Sequence, residues 1–267
     1  MPSATAQSTW DARIARAREL ASSRPAARDL LTFYAGLAEC QRALAAEAHD
    51  SGAFEIDHAV EAIPGFLDWV RRSGPSELAA SVEQIDPHQL GSLVASAFRR
   101  KFSDSRSLPP EGGSYQSEAV RFVIESLLQA FAEQLVDADA SLVAPGSAPM
   151  RCPRCAALPV AAVMREVGHG AKRFLLCALC LQEWECLRLV CPACGEQEFD
   201  KLPVYTSEQF AHVRIDACDS CRHYVKTIDL TKDGLAVPCV DDLASVSLDL
   251  WARERGYTRI KSNVLGI

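Results

Sequence analysis

The sequence predicts an α+β protein: an N-terminal all-α helical domain, two tandem rubredoxin-like or zinc-ribbon modules, and a C-terminal helix. Three observations predict it. Apolar residues recur at helical spacing through the first 137 residues. Four Cys-x-x-Cys pairs then fall between Cys152 and Cys221. A capped apolar pattern follows the last pair and stops at Gly256. The expected units are residues 1–148 (helical), 149–190 and 191–235 (one four-cysteine ribbon each) and 236–267 (helix and terminal arm).

In the helical part, Trp10, Ile14, Ala17 and Ala21 mark one face, and Pro25 interrupts the pattern. Leu30, Leu31, Tyr34, Leu37, Ala38, Gln41 and Leu44 mark the next helix. Pro64 fits a first helical turn ahead of Phe66, Leu67 and Val70. Ser73-Gly74-Pro75 breaks the chain, and Leu78, Val82 and Ile85 continue it. Asp86-Pro87 is an N-cap with proline at N1, opening a helix through Leu90, Val94 and Phe98. Ser103–Gly113 is a loop, and Ser114–Val136 is the clearest long helix. Arg71-Arg72 and Arg99-Arg100-Lys101 lie near helix C-termini, where they complement the dipole. Residues 139–150 form a small-residue and proline linker.

The cysteine region predicts two ribbons with one plan. In the first, the knuckle Cys152–Cys155 leads to a strand over Leu158–Val163, a turn at Gly168-His169-Gly170, a return strand over Arg173–Leu176, the knuckle Cys177–Cys180, and a strand from Trp184 to Val190. In the second, Cys191–Cys194 and a connecting stretch precede a strand over Ala211–Ile215, the knuckle Cys218–Cys221, and a strand over Tyr224–Leu230. The repeat suggests a duplicated module. One closing helix is expected, capped by Asp241 or Asp242, with Leu243, Val246, Leu250 and Trp251 on one face.

Two residues between cysteines let one tight turn aim both sulfurs at a point, and two such turns make a tetrahedral thiolate cage with metal–sulfur bonds of about 2.3 Å. Eight cysteines in four pairs therefore predict two metal ions per chain. Sequential pairing gives Cys152, Cys155, Cys177 and Cys180 as one site and Cys191, Cys194, Cys218 and Cys221 as the other. Spacing leaves a crossed arrangement open. A redox dithiol fits less well, because such a motif is usually single and sits at a helix N-terminus. Both zinc and iron accept four thiolates. The residue after the second cysteine of a rubredoxin-type knuckle favours φ > 0, and only Gly195 meets this without cost; Ala156, Leu181 and Arg222 stand at the other three positions. A closed cage has no open position for substrate, so each site is a structural staple or a one-electron carrier and not a catalytic centre. Cys40, Cys186 and Cys239 are expected as packing thiols, His169, His212 and His223 are surplus to filled cages, and His49, His58 and His88 have no ligand-like spacing.

At 267 residues, 48% hydrophobic and 24% charged, the chain can bury a real core. Met1–Asp11 lacks a signal pattern, and no apolar run approaches the roughly 18 residues of a membrane span. A cytoplasmic location follows as the expectation, and there paired cysteines serve metals rather than disulfides. The net charge of −7 lies in the first 150 residues, because residues 151–267 carry 15 basic and 15 acidic side chains. Neither half is strongly basic, so neither nucleic acid nor membrane is an expected partner.

Several stretches together resemble the bacterial formate dehydrogenase accessory proteins of the FdhE family. These are Cys152-Pro-Arg-Cys155 with Leu158-Pro159-Val160, Leu176-Cys177-x-x-Cys180 with Glu183-Trp184, Arg188-x-x-Cys191-x-x-Cys194, Cys218-Asp-x-Cys221 with Tyr224-Val-Lys226, and Asp241-Asp-Leu-Ala244 leading to Glu254-x-Gly256-Tyr257. The likeness covers about 152 to 260, and more weakly Leu31-Thr-Phe33-Tyr34. It implies a helical domain joined to tandem metal ribbons, iron or zinc at the eight cysteines, and a cytoplasmic, non-enzymatic factor that binds the catalytic subunit of a formate dehydrogenase during maturation. The residues alone leave two alternatives: a rubredoxin-like electron carrier and a zinc-ribbon nucleic-acid binder. They say nothing of the oligomeric state.

Overall fold

Proline and glycine punctuate the first half as local chemistry dictates. The structure, a computed structural model, describes residues 4–50, 56–102, 117–132 and 150–267. Helices α1 (Ala4–Ser23) and α2 (Arg28–Asp50) are separated by a 3₁₀ turn opened by Pro25. Then come α3 (Ile56–Glu61), α4 (Ile63–Ser73), α5 (Ser76–Val82), α6 (Pro87–Phe102) and α7 (Glu118–Ala132). Asp86 caps α6: its carboxylate accepts the His88 N–H at 2.9 Å and its carbonyl the Leu90 N–H at 3.0 Å. Arg71 and Arg72 occupy the last turn of α4. The expected loop at 103–113, residues 114–116 and 133–136 of the expected long helix, nearly all of the linker (139–149), and the side chains of His49 and residues 99–101 lie outside the described residues.

The helical faces meet in one apolar core. Phe33 stacks on Trp69 at 5.6 Å between centroids, and Phe66 and Phe122 complete the aromatic group. Gln41, fully buried on α2, donates to the Ser126 carbonyl (2.9 Å) and to the Gln129 side-chain oxygen (3.2 Å) of α7, so its amide N–H groups are satisfied across this seam, while its Oε1 and the Ser126 hydroxyl have no partner among the described residues.

The second half builds one mixed sheet from β1 (Pro159–Val167), β2 (Gly170–Cys177), β3 (Glu183–Cys186), β4 (Val204–Thr206), β5 (Val213–Ala217) and β6 (His223–Asp229), in the order β3-β2-β1-β6-β5-β4. The two three-stranded ribbons lie side by side in the same sense. They join through a parallel pairing of β1 with β6, Ala162 opposite Thr227. The β1–β2 hairpin turns at Gly168-His169, with Gly168 at φ 63°. The short β7 (Thr258–Arg259) pairs with β6.

Several expectations are corrected here. The strand expected from Trp184 to Val190 stops at Cys186, because the Arg173 guanidinium takes the carbonyls of Leu187 (3.4 Å) and Val190 (3.0 Å) and draws the chain off the sheet. The connecting stretch of the second ribbon holds a strand of its own, β4, and the strand expected over Ala211–Ile215 begins two residues later. The closing helix is two helices, α8 (Pro238–Ala244) and α9 (Val246–Glu254), broken at Ser245. Neither aspartate is its N-cap: Val237 holds that position with Pro238 at N1, and the Asp241 carboxylate reaches back to the Val237 N–H at 2.7 Å. Leu250 is 55% exposed, so it is not on the packed face, while Gly256 ends α9 at φ 76°.

Candidate metal centres

Each Cys-x-x-Cys pair closes a tight turn by the same backbone logic. The N–H of the first cysteine bonds the carbonyl five residues on: Cys152 to Ala157, Cys177 to Gln182, Cys191 to Glu196, Cys218 to His223, at 2.8 to 3.0 Å. The residue after the second cysteine then needs a left-handed backbone, and all four have it: Ala156 φ 55°, Leu181 φ 52°, Gly195 φ 80°, Arg222 φ 59°. Ala156, Leu181 and Arg222 are the sole non-glycine residues with positive φ among those described. A non-glycine residue there costs about 1–2 kcal/mol, so the sheet and cage must over-determine the turn. Arg222 shows how. Its guanidinium bonds Asp219 (2.8 Å) and the Arg255 carbonyl (2.6 Å) and lies 4.0 Å over the Tyr257 ring.

The turns face each other in sequence order. Cys152, Cys155, Cys177 and Cys180 form one group and Cys191, Cys194, Cys218 and Cys221 the other, each with its sulfurs within 4.8 Å of one another. The crossed arrangement is not the one formed. In the first group the Sγ–Sγ distances include 3.6 Å (Cys152–Cys180), 3.3 Å (Cys155–Cys177) and 3.6 Å (Cys155–Cys180). In the second, Cys191–Cys221 and Cys194–Cys218 are each 3.7 Å. These are far from disulfide bonds, and all eight thiols are free. A tetrahedron with bonds of about 2.3 Å has edges of about 3.8 Å, so both groups fit an ion the size of zinc or iron.

The electrostatics ask for a cation. Burial pushes the Cys177 thiol up, while hydrogen bonds from Cys155, Cys177 and Cys180 pull the Cys152 thiol down. Four sulfurs this close cannot all ionise without a positive charge at the centre. Amide donors soften part of the charge: Leu179 and Cys180 N–H point at the Cys177 sulfur (3.3 and 3.4 Å), and Ala193 N–H at Cys191 (3.4 Å). The two knuckles of the second group are also tied by Ser220, whose hydroxyl donates to Glu196 at 2.6 Å.

The groups differ in depth. All four cysteines of the first are buried in the core shared with the helices, and Gln129 of α7 donates to the Ala178 carbonyl inside its second knuckle at 3.4 Å. In the second, Cys194 is exposed and Cys221 half-buried. A competing chelator should therefore strip the metal-loaded protein in two phases of equal amplitude, the second site first. A metal-sensitive dye follows the release, and Cys194→Ser should abolish the fast phase alone. A single phase, or loss of the slow one, would contradict the assignment.

The remaining candidates take other roles. His212 Nε2 lies 2.8 Å from Asp241, and His212, Asp233 and Asp241 cluster as a metal site might. Arg16 already fills that cluster, bonding Asp241 at 2.7 Å and Asp233 at 2.8 Å and pinning α1 to α8. His223 donates from Nδ1 to the Cys221 carbonyl at 2.9 Å and belongs to neither four-cysteine group. Cys186 is buried, and burial pushes the thiols of Cys186 and Cys40 up, the latter to about 11.

The sequence reading missed a buried charge cluster behind β6. Lys226 is fully buried, donating to Asp249 and the Asp242 carbonyl, each at 2.5 Å. Arg259 also bonds Asp242, and reaches Asp249 at 3.1 Å. Tyr224 donates to Asp249 at 2.7 Å and Asn263 to Asp242 at 3.1 Å. The available signal was a strand alternation that puts Tyr224 and Lys226 on one inward face, together with an acidic pair inside an apolar helix pattern.

Comparison with known proteins agrees with this geometry. The family model described as FdhE, central domain, matches residues 151–188, and that described as FdhE, C-terminal domain, matches 189–265. An FdhE homolog of Aquifex aeolicus is 43% identical over 116 residues, covering 43% of this chain and 41% of that protein. One from Haemophilus influenzae is 28% identical over 96% of this chain and 87% of its own length. The crystal structure of the FdhE protein from Pseudomonas aeruginosa superposes with a TM-score of 0.67 at 24% identity, covering 96% of this chain and 95% of that one, which shows the shared fold.

Proposed function

The chain belongs to the FdhE family, and from that premise we propose that it is a non-catalytic maturation factor binding the catalytic subunit of a formate dehydrogenase in the cytoplasm. The observation that carries this is the pair of closed four-thiolate groups. With Cys152, Cys155, Cys177 and Cys180 on one ion and Cys191, Cys194, Cys218 and Cys221 on another, no coordination position is left for substrate or water. The ions then shape a surface instead of turning over a substrate. No helix among the described residues is long and apolar enough to cross a membrane.

Affinity capture of the tagged protein from its own cells tests the partner. Enrichment of a formate dehydrogenase catalytic subunit is expected, and failure to enrich one in cells that make it rejects the reading. Metal analysis of the same sample is expected to give two ions of iron or zinc per chain. A second reading, one-electron transfer, is favoured by the exposure of Cys194, which brings the second site to the surface. It requires iron there and visible bands that bleach with dithionite; two zinc ions would exclude it.

A further inference from the structure

Beside the second metal group, with Cys191 in its wall, lies a cleft of about 480 Å³ on the sheet face away from α9. Register places it: Tyr205 and Ile215 pair on the helix side, where Tyr205 meets Trp251, so Val204 and its partner Asp216 point the other way. Its walls include Arg188, Leu189, Leu202, Val204, Arg214 and His223, and its floor includes Arg173. A volume of this size suits a ligand larger than a single ion.

Its lining carries three arginines, Arg173, Arg188 and Arg214, in a chain that is acidic as a whole. The one carboxylate in its wall, Asp216, is already shared by Arg173 (3.2 Å), Arg214 (2.8 Å) and the Thr227 hydroxyl (2.7 Å). Arg188 is exposed and makes no ion pair among the described residues. Beside it stand apolar side chains left in water: Leu189 57%, Val204 55% and, flanking the cleft, Leu187 52% and Phe199 73% exposed. The sheet ends here too, because β4 pairs with β5 alone. The Pro203 carbonyl accepts the Ala217 N–H at 3.0 Å, which makes 204/216 and 206/214 the non-hydrogen-bonded pairs. Val204 and Thr206 therefore turn their N–H and C=O groups outward along an unpaired edge.

From these three features together we infer that β4 and the arginine-lined cleft dock an extended acidic segment of a partner protein. The segment adds as a strand to β4, and every second side chain enters the cleft, carboxylates toward Arg188 and Arg214 and apolar groups against Val204 and Leu189. This deepens the proposed function, resting on it for the existence of a partner, and names the chemistry the partner must present.

The test is a titration of the metal-loaded full chain against a fluorescein-labelled peptide in which glutamate and valine alternate, spaced by threonines, followed by anisotropy. Saturable, salt-sensitive binding is expected. It should fall about tenfold or more when the glutamates become glutamines, and as much in Arg188→Glu or Thr206→Pro, the latter removing an outward N–H. Arg188→Glu should in turn take up the lysine version of the peptide, which confirms that this variant is folded. Equal binding of the glutamate and glutamine peptides, no binding of either, or self-association of the chain that Arg188→Glu abolishes would each overturn the inference. The reading beneath it is separable. Undiminished capture of a formate dehydrogenase subunit by Arg188→Glu rejects the cleft and leaves the family role standing, while no capture by the parent chain rejects that role.

Discussion

Cys177→Ser is expected to leave the chain largely insoluble, and any soluble fraction should hold one metal ion instead of two. Cys177 is fully buried, and its sulfur accepts the N–H groups of Leu179 and Cys180 while sitting 3.3 Å from Cys155. A serine hydroxyl is a poor ligand at neutral pH, so the site loses an ion whose binding contributes about 10 kcal/mol or more to folding. That loss is comparable to the whole stability of a domain, roughly 5–15 kcal/mol. It also reaches beyond the ribbon, because the first cysteine group shares its core with α2 and α7. The informative contrast is Cys194→Ser, where the cysteine is exposed and the ribbon is held also by the β1–β6 pairing and by α9. That variant should lose one ion yet remain soluble. Soluble yield, metal content and thermal melting of the two variants decide the matter. A Cys177→Ser protein with two ions and the parent's melting temperature would refute the first site.

What the sequence made legible was what local chemistry decides. Pro25, Pro64, Ser73-Gly74-Pro75 and Asp86-Pro87 act within a turn of where they stand, so α1, α2, α4, α5 and α6 could be placed from them, whereas α3, with no such marker, was not. The cysteine groups were legible because two-residue spacing constrains geometry before anything else folds. What failed depended on distant partners. The break at Ser245 has no local breaker: Lys226 takes the carbonyl of Asp242, and the Ser245 hydroxyl bonds those of Asp241 (2.8 Å) and Asp242 (3.0 Å). Helical pattern alone could not reveal a lysine arriving from a strand 16 residues earlier. The end of β3 likewise waits on Arg173, a strand away. Ala156, Leu181 and Arg222 look ill-suited to their turns by propensity, yet the cages and the sheet impose the left-handed backbone on all three.

Lys226→Met should cost about 3–5 kcal/mol, the range for leaving a buried charge without its partner. Lys226 and Arg259 face Asp242 and Asp249 in a cluster of two cations and two carboxylates, and none of the four is more than 7% exposed. Removing one cation leaves two carboxylates on Arg259 alone. Burial by itself pushes the Asp242 carboxyl up, but Arg259 and Lys226 outweigh it and hold it below the ordinary carboxylate range. A group depressed in the native state contributes stability above its unfolded pKa and loses it as pH falls through the native value. The parent should therefore keep this contribution until pH drops below the ordinary carboxylate range. In Lys226→Met the native value rises, and acid destabilisation begins at higher pH. Urea unfolding of both proteins across acidic pH measures the shift, and identical profiles would show that the cluster carries no weight. Adding Asp249→Asn to Lys226→Met restores charge balance and should recover part of the loss. Failure to recover would assign the cost to the bonds Lys226 makes with the Asp242 carbonyl and Ser245, which hold the break between α8 and α9.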